Sequence, residues 1–523
     1  MKLALRGKPV RMSVMRTKSI EQSMSELDHP GTSLRRALGP VQLTAIGIGV
    51  IIGTGIFVLT GEAAGTLAGP AIALSFVAAA IACMLAGLCY AEFASVVPVA
   101  GSAYTFSYAS LGELIAWIIG WDLMLELALG AATVASGWSN YFKVVLSGAP
   151  WHLHVPTSLY ADGHNFFAAA IVLLITGLLC LGVRTSSTVN AVIVAIKLAV
   201  VALVIIAGLS YVKSKNLHPF IPPTGSTPAP GGSSEKTLLQ DLGAAPGAFG
   251  VGGIFAGAAL VFFAFIGFDV VATNAEESRK PQRDLPIGIF ASLTICAVLY
   301  VAVSLVVTGM VKYNHVDTKA PLSMAFISVH ENTIATIIGY GALAGLTSVI
   351  LVLLMGQSRV FFAMSRDRLL PPVFSALSER FQTPYRTTLV TGVVVAALTF
   401  LLSLKTLASL VNIGTLFAFV LVSIGVIFLR RARPDLERPF RTPLVPVVPI
   451  LSVLASLWLM LNLSGATWVR FVVWMVVGLV VYFVYSVRHS RLAGGGEAPP
   501  GGPASSAPER GGGGGGDAGA RVA

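Results

Sequence analysis

The chain has 523 residues, of which 55% are hydrophobic and only 11% are charged, and its mean hydropathy is +0.80. A soluble globular protein carries roughly 25% charged residues, so this composition excludes a soluble enzyme and indicates a protein surrounded by lipid. The net charge of +11 would also suit a nucleic-acid binder, but Lys and Arg collect in the cytoplasmic loops of membrane proteins, and we favour that explanation, with no nucleic-acid partner.

Apolar runs long enough to cross a lipid bilayer follow one another along the chain. One helical crossing needs about 20 apolar residues. The sequence predicts twelve spans, at 41–66, 70–97, 113–146, 163–183, 189–212, 249–273, 286–312, 334–364, 387–404, 407–430, 446–464 and 468–488.

These spans divide the chain into six regions. We expect an N-terminal tail at 1–40, the first five spans at 41–212, an extracellular loop rich in Pro, Gly and Ser at 213–248, spans six to ten at 249–430, spans eleven and twelve with their preceding loop at 431–490, and a Gly-rich tail at 491–523. The last region has nothing apolar to bury, so we expect it to be disordered.

Positive charge is unequally distributed between the two sides of the membrane. The segments that share a side with the N-terminus hold most of the Lys and Arg, for example Arg279 and Lys280 after span six and Arg430 and Arg431 after span ten. The positive-inside rule therefore predicts a protein of the plasma (inner) membrane with both termini in the cytoplasm. The first 40 residues contain no short apolar stretch typical of a signal peptide.

The sequence carries no pattern of an enzyme. There is no nucleophile motif, P-loop or nucleotide-binding fingerprint, so neither catalysis nor transport driven by ATP on this chain is expected. The cysteines lie inside apolar runs without the spacing of a metal site or a disulfide scaffold, and we expect no cofactor and no metal. They are Cys83, Cys89, Cys180 and Cys296.

Span one is interrupted by glycine at its centre, where Gly53, Thr54 and Gly55 follow one another. Glycine costs about 1 kcal/mol relative to alanine in a helix interior, so this triplet predicts a break in the helix. In hydrocarbon, the backbone groups that a break frees are tolerated only where they line a cavity or bind something. A restarting helix offers N–H groups to a carboxylate and the preceding half offers carbonyls to an ammonium, so one break suits both ends of a zwitterion. Close helix packing through small residues is the alternative.

Span six repeats this theme in the corresponding position of a second set of five spans. Its aromatic residues surround Gly267, and Asp269 follows within the same apolar run. Paired interrupted spans are typical of inverted-repeat transporters with a site near the membrane midplane. The aromatic residues are Phe262, Phe263, Phe265 and Phe268.

Carboxyl groups inside spans are costly and usually functional. Glu126 in span three and Asp269 in span six are therefore candidates to hold the charged group of a basic substrate, although satisfying backbone or hydroxyl donors would explain them equally well. Asp122 and Glu113 lie nearer the start of span three, and we expect them at the membrane interface.

Lys197 lies deep in span five, beyond the reach of snorkelling along its own stem. Burial disfavours the charged form of a lysine, so Lys197 is a candidate to load and release a proton near neutral pH. The alternative is a structural lysine permanently paired to a carboxylate.

Several longer segments carry a resemblance to a known superfamily. GIGVIIGTGIFVLTG, GELIAWIIGWDLMLE, FFAFIGFDVVATNAEESRKPQRDLPIGI and GQSRVFFAMSRDRLLP are similar to the amino acid/polyamine/organocation superfamily, specifically to bacterial members of its cationic amino acid transporter branch. The resemblance implies an all-helical fold like that of the leucine transporter, with spans one to five and six to ten as inverted repeats and two added helices.

The same resemblance implies roles for individual residues. The substrate carboxylate would meet the backbone at Thr54 and Gly55, next to Gly53, and Lys197 would couple transport to protons. The substrate amino group would meet carbonyls around Ile51, Phe262 and Phe265, the last of which is also a candidate gate. Side-chain selectivity would involve Glu126, Asp269 and Met355.

The sequence thus predicts a secondary active permease that takes up cationic or small neutral L-amino acids with a proton by alternating access. An amino acid exchanger and, less favoured, a membrane amino acid sensor are the alternatives. The partners expected are the amino acid, protons and lipid, and neither the amino acid nor the oligomeric state is predicted.

Overall fold

The computed structural model describes residues 38–96, 104, 107–108, 112–148, 151–160, 163–182, 187–230, 235–244, 247–269, 271, 278–376, 378 and 383–490. This part of the chain is helical apart from turns, loops and two isolated β-bridges. The tails expected at 1–40 and 491–523 lie outside the described residues, except for residues 38–40.

The helices that correspond to the predicted spans are numbered α1 to α12. They are Pro40–Ile51 (α1), Ile72–Val96 (α2), Glu113–Ser147 (α3), Phe166–Cys180 (α4), Ser187–Leu209 (α5), Gly250–Val261 (α6), Pro281–Met310 (α7), Asn332–Arg366 (α8), Tyr385–Leu401 (α9), Leu404–Ala432 (α10), Val447–Leu461 (α11) and Gly465–Val481 (α12).

Seven helical stretches of the described chain are long and apolar enough to cross a membrane, and five shorter apolar helices accompany them. The all-helical, multi-pass architecture predicted from the sequence is confirmed. Helix α7 begins at Pro281, before the apolar run predicted as span seven at 286–312. Proline is well tolerated in a first helical turn, where its missing N–H would have no intrahelical partner, and Asp284 Oδ2 accepts a hydrogen bond from the N–H of Lys280.

The helices form two groups, and the first includes α1 and α6 of the interrupted spans. In one group, α7 packs along α1 and α2, and α6 packs against α2. In the other, α3 packs along α8, and α4 packs against α9. Helix α10 contacts α3 of the second group and α2 of the first, so it bridges the two groups.

The long loop between α5 and α6 packs over the end of span one. The N–H of Ala229 donates to the carbonyl of Gly65 at 2.9 Å, and the N–H of Phe249 donates to the carbonyl of Leu67 at 2.6 Å. Gly250 in turn donates to the carbonyl of Pro222. These bonds satisfy carbonyls at the end of a helical segment, which have no partner within the helix itself.

Both ends of α10 are held by ion pairs to the first group of helices. At its start, Lys405 Nζ lies 3.6 Å from a carboxylate oxygen of Glu62, which follows the break in span one. At its other end, Arg430 donates from Nε and Nη2 to the two oxygens of Glu92 on α2, at 2.9 and 2.8 Å. Two parallel bonds of this kind fix orientation as well as distance.

We expect the Arg430 pair to contribute to stability. The side chain of Glu92 is 2% exposed, and removing one partner of a buried pair typically costs about 3–5 kcal/mol. The lower end of that range is expected for Arg430→Met, because Arg438 Nε also lies 3.6 Å from Glu92. Thermal unfolding of the purified protein in detergent measures the loss. Arg433→Met is the matched control, since its pair with Asp435 is exposed on both sides, and equal unfolding temperatures for the two variants would contradict this assignment.

Candidate functional site

The helix of span one is interrupted where the glycines predict it. Helix α1 ends at Ile51, and Ile52 leaves helical geometry with φ −73° and ψ 96°. The chain is helical again from Gly55, through the segments Gly55–Leu59, Thr60–Ala63 and Ala64–Ala68. The first N–H groups of a helix have no intrahelical partner, so the restart leaves donors at the centre of the protein.

Span six is interrupted at the same depth. Helix α6 tightens into a 3₁₀ turn over Phe262–Phe265, and Ile266 is extended. Gly267 follows with φ +111°, a conformation that side chains rarely adopt. A Cβ at Gly267 would also lie 3.2 Å from Val50 Cβ, so this glycine lets the two interruptions approach each other.

One side chain connects the two interruptions. The hydroxyl of Tyr300 on α7 lies 2.8 Å from the carbonyl oxygen of Ile51 and 2.9 Å from that of Ala264, so its single proton is shared between these two acceptors. Asn412 on α10 donates from Nδ2 to the carbonyls of Ala259 and Leu260 at the end of α6. Buried backbone carbonyls need such partners, and here the partners come from other helices.

A small cavity lies between the interruptions and the helices α3 and α8. Its volume is about 20 Å³, enough for about one water molecule. The interrupted spans supply one side and α3 and α8 supply the other. The lining residues are Val50, Ile51, Gly53, Thr54, Gly55, Glu126, Leu127, Gly130, Val134, Phe263, Ile266, Gly267, Asp269, Val349 and Leu353.

The acidic residues of span three are more deeply buried than the sequence suggests. Glu126 lines the cavity together with Asp269, and Glu126 is 4% exposed. Asp122 and Glu113, which we expect at the membrane interface, are both buried within the protein, and their depth in the membrane stays a prediction. Glu113 accepts hydrogen bonds from the hydroxyls of Tyr482 and Ser490. Residues from the end of the described chain cover the start of α3. The hydrophobicity of span three alone does not reveal this burial.

Lys197 is not among the residues that line the cavity. Its side chain is fully buried, and Nζ donates a hydrogen bond to the carbonyl oxygen of Gly49, near the end of α1. The stem packs on Gly345 of α8, where a Cβ would lie 3.0 Å from the lysine side chain. Among the described residues, no carboxylate forms an ion pair with Lys197.

Six of the predicted substrate-site residues line the cavity, and three do not. Phe262 and Phe265 are fully buried, but their rings pack against Phe419 and against Tyr300, respectively. Met355 is partly buried and packs against the core. The residues on the cavity are Ile51, Gly53, Thr54, Gly55, Glu126 and Asp269.

The sequence analysis missed the apolar wall of the cavity. Leu127, Gly130 and Val134 lie on one face of α3, and Val349 and Leu353 lie on one face of α8. The helical spacing of Leu127, Gly130 and Val134 next to Glu126 is the sequence signal for the α3 part of this wall.

Comparisons with known proteins agree on the type of protein. Residues 38–484 match the family model described as amino acid permease. The chain is 48% identical over 490 residues to the branched-chain amino acid permease BcaP of Bacillus subtilis, covering 92% of this chain and 99% of that protein. It is 46% identical over 487 residues to the methylthioribose transporter of Bacillus subtilis, with the same coverage of both chains. It is 40% identical over 437 residues to the vacuolar cationic amino acid transporter 2 of Arabidopsis thaliana, covering 83% of this chain and 65% of that one.

The close approach of the two interruptions depends on Gly55. A Cβ there would lie 2.9 Å from the backbone nitrogen of Ala264, and overpacking of this kind costs about 1–3 kcal/mol. We expect Gly55→Ala to lower the thermal unfolding midpoint.

Gly177→Ala on α4 is the control for this substitution. No atom lies within 4 Å of a Cβ at that position, and alanine is the better helix former. If the unfolding midpoint of Gly55→Ala is as high as that of Gly177→Ala, the two interruptions are not closely packed at Gly55.

Proposed function

The chain belongs to the amino acid permease family, and from this premise we propose that it takes up L-amino acids together with a proton by alternating access. It is a membrane permease and not an enzyme. The site lies between the two interrupted spans, halfway along the helices that surround it.

The observation that carries this proposal is that the interruptions of spans one and six meet at one cavity. The restart at Gly55 directs N–H groups and the positive end of a helix dipole towards Thr54, which suits a carboxylate. The interruptions also end in carbonyls that suit an ammonium. A zwitterion satisfies both sets of groups, whereas either charge alone would leave one set unsatisfied.

The wall of the cavity bears on the class of amino acid. Leu127, Val134 and Val349 offer only apolar contacts, which supports an uncharged side chain. Glu126 and Asp269 lie at the same cavity and support a second candidate, a cationic amino acid whose charged end reaches these carboxyl groups.

Lys197 supports proton coupling. A protonated amine donates a stronger hydrogen bond to a carbonyl than a neutral amine does. Release of the proton would therefore weaken the bond between Lys197 and Gly49 and loosen α1 near its interruption. In this way the proton acts on the substrate site through the backbone, without contact with the amino acid.

The orientation that we propose has both termini in the cytoplasm and the protein in the plasma membrane. It follows from the concentration of Arg on the side where α10 ends, at Arg430 and Arg431. The loop after α5 then lies outside the cell.

Uptake into proteoliposomes tests the proposal directly. We expect accumulation of radiolabelled alanine, serine or leucine that rises when an inward proton gradient is imposed. Uptake that needs amino acid inside the vesicle, and ignores the gradient, would identify an exchanger. Binding without flux would identify a sensor, and competition by unlabelled arginine, lysine and methylthioribose would define the cargo.

The role of Lys197 has its own test. In Lys197→Met, which keeps most of the side-chain volume, we expect exchange of internal for external amino acid to continue while the stimulation by the proton gradient is lost. Lys215→Ala, at an exposed position in the loop after α5, is the control and should keep the stimulation. Full proton-driven uptake by Lys197→Met would show that Lys197 has no role in proton coupling.

A further inference from the structure

A second cavity lies at the end of α3, away from the interruptions. Its volume is about 500 Å³, and it shares no lining residue with the cavity between spans one and six. The last turn of α3 and the loop that leads to α4 form its walls. Its polar lining residues are Lys143, Ser147, His154, Ser158 and Tyr160. The proposed function gives these residues no role.

Lys143 supplies a positive charge to this second cavity. Its Nζ lies 4.9 Å from the centre of the Tyr160 ring, a distance at which the ring attracts the ammonium group and holds it beside the loop. Among the residues that the structure describes, no carboxylate forms an ion pair with Lys143. Its charge is therefore open to an anion from outside the protein.

The other polar side chains supply hydrogen-bond donors. Ser147 donates to carbonyls of its own helix, but His154, Ser158 and Tyr160 form no side-chain hydrogen bond to another described residue. The imidazole carries an N–H in either protonation state, and the other two residues carry hydroxyls. No acidic residue of the described chain lines the cavity. One cation and three donors suit a phosphate group, which has several strong acceptor oxygens.

The loop beside this cavity carries exposed apolar side chains. Trp151 is 55% exposed and Leu153, which also lines the cavity, is 51% exposed. The indole N–H of Trp151 donates to the hydroxyl of Tyr340 on α8 at 2.9 Å, and Tyr340 is 45% exposed as well. Trp and Tyr concentrate in membrane proteins where acyl chains meet the headgroups. Their positions therefore place the cavity at the level of the lipid headgroups.

We propose that this cavity binds the phosphate group of an anionic membrane lipid, with Lys143 as the counter-ion and Leu153 against the start of an acyl chain. A lipid fits better than free phosphate, because inorganic phosphate has no part that Trp151 and Leu153 would contact. The bound lipid steadies the ends of α3 and α8 together, since Trp151 bonds Tyr340 across them. The site lies outside the proposed transport function, and its test needs no transport.

The experiment titrates the purified full-length protein in detergent with phosphatidylglycerol and counts bound lipid by native mass spectrometry. Loss of one charge-assisted hydrogen bond lowers affinity about tenfold or more. We expect Lys143→Gln to raise the apparent Kd for phosphatidylglycerol by about this factor, and His154→Ala to raise it less. Leu153→Ala should also weaken binding, because it removes the contact with the acyl chain.

Lys215→Gln is the matched control, since it removes the same charge from an exposed position in the loop after α5 and should keep the wild-type Kd. Equal Kd values for Lys143→Gln and Lys215→Gln would overturn the inference.

Two further probes identify the chemistry of the occupant. Phosphatidylcholine with the same acyl chains should bind more weakly than phosphatidylglycerol, because its own ammonium group offsets the phosphate charge. Inorganic phosphate at the same concentration should leave the thermal unfolding midpoint unchanged, whereas phosphatidylglycerol should raise it. Equal binding of the two lipids, or equal stabilisation by inorganic phosphate, would contradict a site for anionic lipid.

Discussion

In hydrocarbon, every polar group of the backbone needs a partner inside the protein, and the centre of this molecule depends on how that requirement is met. The interruptions of spans one and six free carbonyl groups in the interior of the protein. Tyr300 bonds the carbonyls of Ile51 and Ala264, and Asn412 bonds the end of α6. The interruptions are therefore stable because distant helices supply their hydrogen bonds, and they leave only selected groups facing the cavity.

The same bonds link the site to most of the helices around it. Tyr300 belongs to α7, Asn412 to α10 and Lys197 to α5, while Tyr141 of α3 donates to the carbonyl of Phe57 after the restart. Any displacement of these helices stretches a hydrogen bond to an interruption. Since α10 is also ion-paired at both ends to the first helix group, movement of one group against the other cannot leave the site unchanged. This is the physical basis on which a central site can be coupled to opening at either side.

Much of this arrangement is readable in the sequence, because its signals are local. The spans follow from runs of apolar residues, and the interruption at Gly53 and Gly55 follows from the intrinsic cost of glycine in a helix. The burial of Asp122 and the apolar wall at Gly130 and Leu353 are different. They depend on which helices pack against α3, and those neighbours are far away in the chain. The spacing of apolar residues shows which face of a helix is apolar, but it does not show which other helices pack against that face.

The proposed function divides recognition between backbone and side chains. In it, backbone groups at the interruptions bind the charged ends that all amino acids share, and a side-chain substitution barely alters such groups. The wall formed by α3 and α8 would face the part that differs between amino acids, and single substitutions there change its shape. Relatives of nearly equal similarity to this chain are named for different cargoes, and one of those cargoes, methylthioribose, has neither a carboxylate nor an ammonium group. Overall sequence identity therefore reports the shared framework and does not define the cargo.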